Sequence, residues 1–140
     1  MRRTPALIVL VVALAGCGGS DAPPSPSTQV RATLTKLADG VQDKDYATLC
    51  KEVLAPNLVS GLEEVGLTCP KALAAGFGSV KDPQLSVDAV EVDGSKATAR
   101  VRTSALGQDA SADVVQLVKA KGGWRVSSLG TGSPSASPTP

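Results

Sequence analysis

The sequence predicts an α+β domain: three to four N-terminal helices packed on a four-stranded antiparallel sheet. Three observations carry this. Apolar residues recur at helical spacing as far as Phe77 and at strand spacing after Pro83. Asp93-Gly94, Gly107 and Lys121-Gly122-Gly123 break the second half into short segments, and short turns join antiparallel strands, not parallel ones. The change from helix to strand happens once, the order of an α+β fold.

The first helix rests on Val30, Leu34, Leu37 and Val41, which fall on one face of a 3.6-residue period. Ser27 or Thr28 is placed to cap it, and Gly40 weakens its last turn. The stretch DKDYATLCKEVL, 43–54, predicts a second helix capped by Asp43 or Asp45. Its face is Tyr46, Leu49, Cys50 and Val53, and Pro56 is expected to end it. A weaker third helix over 57–66 would bury Leu58, Leu62 and Val65, with Gly61 and Gly66 against it. A fourth, over 68–77, has Thr68 or Cys69 ahead of Pro70, then Leu73 and Phe77 four apart.

Four strands follow: 84–92, 96–103, 110–120 and 124–129. The second alternates cleanly, Ala97, Ala99 and Val101 against Thr98, Arg100 and Arg102. The third is ambiguous in face at Val114-Val115, where two apolar residues adjoin. The Asp93-Gly94 pair is a tight-turn signal, and GQD at 107–109 interrupts the chain before the third strand.

Ahead of the domain, Arg2 and Arg3 precede an apolar run from Ala6 to Ala15, the layout of an export signal. As a helix this run rises only about 15 Å, half of a hydrocarbon core, so it is too short to span. Leu14-Ala15-Gly16-Cys17 resembles the lipobox of bacterial lipoproteins. That resemblance implies a diacylglycerol on the Cys17 sulfur, cleavage after Gly16, and a palmitate-type lipid anchor holding the protein outside the cytoplasm at the cell membrane. Two or more acyl chains anchor stably where one does not. The expected organisation is a signal peptide at 1–16, a disordered tether at 17–27, a domain at 28–129 and a disordered Pro/Ser tail at 130–140.

The 14 basic and 13 acidic side chains nearly balance, and two of the basic ones lie in the leader. This leaves no excess charge to grip nucleic acid, and the aromatics are only Tyr46, Phe77 and Trp124, too few for a base-stacking platform. Histidine is absent from all 140 residues. A metal site is therefore not expected, nor a cofactor, and no cysteine nucleophile has a histidine base. With Cys17 assigned to lipid, Cys50 and Cys69 remain, and an exported domain with two cysteines predicts a disulfide. Closing its loop of about 18 residues would stabilise the fold by about 3 kcal/mol.

The opening amphipathic helix, DYATLC at 45–50, TCPKAL at 68–73 and the closing VQLVKAKGGWRVSSL at 115–129 are similar to small NTF2-like domains of exported bacterial lipoproteins. The resemblance implies a curved sheet wrapped around the helices as a cone, with an apolar cavity and a tendency to form homodimers through the sheet. It also implies two kinds of function. One is non-enzymatic: binding a small apolar ligand or docking to an envelope partner. The other is an isomerase- or dehydratase-type enzyme using a cavity carboxylate with Tyr46. Tyr46, Phe77 and Trp124 are the aromatic residues placed to line a pocket, although each also suits simple packing. Asp88 and Asp113 would serve as acid or base only if turned inward. Arg100 and Arg102 share a strand face that suits either an anion or solvent. No catalytic residue is marked by spacing, and the non-enzymatic reading is the one expected.

Overall fold

A computed structural model describes residues 22–130. The signal at 1–16, the lipidation site Cys17 and the tail after Gly130 lie outside the described residues. Helix α1 spans Pro26–Asp43 and α2 Tyr46–Thr48, the latter running into a π-helical turn, Leu49–Val53. Helices α3, Pro56–Glu64, and α4, Cys69–Phe77, follow. Strands β1, Gln84–Asp93, β2, Lys96–Ala105, β3, Gln108–Ala120, and β4, Gly123–Leu129, pair in sequence order, every neighbour antiparallel.

Helix α1 begins earlier than its apolar stripe suggests. Ser25, not Ser27 or Thr28, is the cap: its Oγ accepts the Thr28 backbone N–H at 3.3 Å, and Pro26 fills the first turn, where its missing N–H costs nothing. Val30, Leu34, Leu37 and Val41 are buried, as the period requires. Gly40 sits where α1 crosses the second helical segment. A methyl group there would come within 2.6 Å of Leu49 Cγ, so the glycine permits the close approach. Lys44 closes the helix in the left-handed region at φ 58°, which lets the Asp45 N–H reach the Gly40 carbonyl at 2.9 Å.

Asp45 caps α2, accepting the Thr48 N–H at 3.2 Å. The expected regular helix over 43–54 becomes one short turn and a wider one, closed by the Leu54 N–H on the Leu49 carbonyl at 2.9 Å. This wider turn keeps both Leu49 and Val53 buried. The chain then straightens, and the Ala55 N–H donates to Val126 O on the edge of β4 at 2.7 Å. Pro56 therefore does not terminate the second helix; it opens α3 at a position where proline is preorganised. Val65 was expected on the buried face of α3 but is 71% exposed. The helix ends one residue before it, and Gly66 at φ 79° turns the chain away. Leu58 and Leu62 pack against the core as expected, and Val59 joins them. Thr68 precedes α4, and Pro70 lies in its first turn. A disulfide joins Cys50 to Cys69 across a Cα–Cα distance of 6.0 Å, so α3 is the loop that the bridge closes.

The strands carry three irregularities that set which side chains face the helices. One extra residue, Asp88, interrupts β1 between Val87 opposite Val101 and Ala89 opposite Arg100. It changes the phase of alternation, so that Leu85 and Val87 before it and Val90 after it all pack against the core. Ser127 plays the same part in β4, letting both Val126 and Leu129 turn inward. The third lies at the start of β3, where Ala105 pairs with Gln108 but Thr103 pairs with Ser111. Bulges bend strands and increase twist, and together these curl the sheet around α1. Inward small residues on β2, Ala97 and Ala99, are almost fully buried and give the helices room. Val115 is buried and Val114 is 45% exposed, which resolves the ambiguous face of β3.

Candidate functional site

At one end of the sheet the core is incomplete among the described residues. Strand β4 stops at Leu129, opposite Val115, while the β2–β3 hairpin continues beyond it. Over that projection α1 is already near its end, and the α4–β1 connection passes across the gap. The Leu106 N–H donates to Lys81 O at 2.8 Å, which ties the hairpin tip to this connection. Asp82, at φ 46°, bends the connection just before Pro83. Between these pieces lies an open cavity of about 230 Å³.

One wall is apolar. Leu37 and Val41 come from α1, Phe77 from the end of α4, Leu85 from β1, and Val101 and Leu129 from the sheet. Beside Val101, on the same inward face of β2 and β3, lies a polar patch built by the hairpin register. Thr103 and Ser111 are direct cross-strand partners, and Asp113 is two residues on from Ser111, hence on the same face. Thr103 Oγ1 and Ser111 Oγ lie 2.9 Å and 2.8 Å from the same oxygen, Asp113 Oδ2, and 2.9 Å from each other. All three residues line the cavity, as does Asp109 at its hairpin edge. The arrangement can hold a molecule with an apolar body and a hydrogen-bonding end.

The residues singled out from sequence are dispersed. Phe77 is in the cavity wall, whereas Tyr46 and Trp124 are not among its lining residues. Trp124 is a core residue, and Tyr46 is half-buried on α2. The Tyr46 hydroxyl and Trp124 Nε1 are buried without a hydrogen-bond partner among the described residues. Each such orphan costs on the order of 1–3 kcal/mol unless water reaches it. Asp88 points the other way from the core, on the outer side of the bulge, where the Arg102 Nε donates to its Oδ2 at 2.9 Å. Both side chains are largely solvated, and such pairs contribute at most about 1 kcal/mol. Arg100 is also exposed. Asp113 is the one carboxylate of the two that reaches the cavity. No group of three or more potential metal ligands occurs among the described residues. No described helix is long and apolar enough to cross a membrane.

Thr103 and Ser111 were not legible as a site. A two-residue Leu106-Gly107 loop pairs Ala105 with Gln108, and a regular ladder from there would set Thr103 opposite Ala110. The bulge moves the partner to Ser111. Only a sequence reading that placed that bulge would have gathered the three oxygens.

No family model matches the chain, and no curated protein matches it. Among solved structures it is similar to an NTF2-like protein of unknown function from Shewanella baltica OS155, with a TM-score of 0.53 and 18% identity. The match covers 74% of this chain and 89% of that one. Helices followed by a bent antiparallel meander, with the cavity held between them, make this an NTF2-like α+β fold.

Proposed function

We propose that this chain is a lipid-anchored extracytoplasmic bacterial protein, non-enzymatic, whose body binds a small, largely apolar ligand. The single observation that carries the binding part is the open cavity with one apolar wall and one cluster of oxygens. A cavity of this size is somewhat larger than one of about 150 Å³ that admits benzene. The anchor is supported by the order of residues around Cys17, and export by the Cys50–Cys69 bridge, since disulfides persist in oxidising compartments.

A second reading, an isomerase- or dehydratase-type enzyme, is favoured by Asp113, a carboxylate inside the cavity. Tyr46, expected to act with that carboxylate, is not among the lining residues, so the pair is not assembled there. Binding is the simpler use of the site.

Native mass spectrometry of the chain extracted from membranes tests the proposal. It should report the mass of acyl chains at Cys17, an intact bridge, and a small molecule released on unfolding. Ala38→Phe, at a half-buried lining position on α1, should abolish the released molecule and leave the acylation in place. Unacylated chain with an uncut leader would overturn the anchor; a small molecule retained equally by Ala38→Phe would overturn the cavity as its site.

A further inference from the structure

We infer that the ligand is a small organic cation: an ammonium group carried on an apolar body. The inference rests on the cavity being a ligand site and names the class that its chemistry selects.

Charge is the first ground. Among the described residues, the charged side chains lining the cavity are Asp109 and Asp113, and neither lysine nor arginine joins them. Asp113 is half-buried beside Val101 and Val115, where the effective dielectric is below that of water and an opposite charge is attracted more strongly. A carboxylate or phosphate ligand would meet repulsion in the same place.

Proton count is the second. Three oxygens stand within 2.9 Å of one another: Thr103 Oγ1, Ser111 Oγ and Asp113 Oδ2. The carboxylate is acceptor-only when ionised, and each hydroxyl brings one proton and two lone pairs. Two protons therefore serve three close contacts, and Asp113 Oδ1 has no partner in the cluster. The three-oxygen cluster is short of donors. An ammonium, with three N–H donors and no lone pair to offer, complements it; its hydrogen bonds to the carboxylate would be charge-assisted.

The apolar wall suits an organic cation better than a bare metal ion. Hard divalent ions require six or more oxygen ligands, whereas Leu37, Val41 and Leu129 present methyl groups. They suit instead a hydrocarbon ring or short branched chain attached to the nitrogen.

Cyclohexylmethylammonium, neutral cyclohexylmethanol and anionic cyclohexanecarboxylate form a series of nearly equal shape. Each is titrated into the full chain carrying Cys17→Ser, with backbone amide shifts as the readout. The ammonium probe should bind about tenfold or more tightly than the alcohol, with shifts at Val101, Thr103, Ser111 and Val115. The carboxylate should produce none. Asp113→Asn, which keeps the side-chain shape, should bring ammonium and alcohol within about twofold of each other. Equal binding of ammonium and alcohol to the unsubstituted site would overturn the cation and leave the cavity reading standing; a preference that survives Asp113→Asn would overturn Asp113 as the group that selects it. No shift at any lining residue with any of the three would overturn both. The three-probe series on the unsubstituted site decides the matter even where Asp113→Asn fails to fold.

Discussion

Gly40 shows how one residue can serve packing against its own helical propensity. Alanine is favoured over glycine within a helix by about 1 kcal/mol. Here the added methyl would meet buried Leu49, whose position is fixed by the π-helical turn. Gly40→Ala should therefore destabilise, by about 1–2 kcal/mol net, as over-packing outweighs propensity. A lower urea midpoint at unchanged slope would show it; a raised midpoint would mean that Leu49 yields freely. At Ser25, removal of the cap by Ser25→Ala should cost about 1 kcal/mol, measured the same way, whereas Thr28→Ala should cost less than Ser25→Ala despite its place in the expected cap. The difference illustrates what sequence alone conveyed. The apolar stripe located α1, but a stripe marks the buried face and not the terminus. The terminus was set by a Ser-Pro pair lying before the first buried residue.

At the level of elements, periodicity was a good guide wherever one face is buried and the strand or helix is regular. It identified four helical segments and the four-strand meander, and Cys50 and Cys69 are joined as the cysteine count predicts. It failed at irregularities. Asp88, Ser127 and the start of β3 each shift the register by one residue, and a one-residue shift exchanges the faces of everything beyond it. The candidate site depends on the last of these, which is why Asp113 could be named from sequence only conditionally and Thr103 and Ser111 not at all. The bridge is the other device at this scale. Helix α3 has no fully buried residue, so its own contacts hold it weakly. The paired variant Cys50→Ser with Cys69→Ser should lose about 3 kcal/mol of stability. Amide exchange should accelerate first across α3, residues 56–64, with β2 and β3 protected for longest. Uniform acceleration over all elements would mean that the bridge acts on the domain as a whole.

Across the whole molecule, the core and the cavity lie along the same helix. Leu34 on α1 is fully buried among core residues, while Leu37, one turn on, reaches the cavity wall. Leu34→Ala should cost about 3–5 kcal/mol, since its surroundings cannot collapse, and Leu37→Ala less, since its loss only widens an existing opening. Thermal unfolding would order the two. The fold thus finishes its core at one end and leaves it open at the other, with oxygens gathered on the wall that the bulged hairpin supplies. The proposed function requires that opening to hold something other than the protein's own side chains. A crystal structure of the chain purified from its native cells is the most direct measurement. Electron density is expected between Leu37, Val101 and Asp113 that the polypeptide does not explain, with one end on Asp113. A cavity closed by Phe77 and Leu129 packing onto Val101 would contradict it.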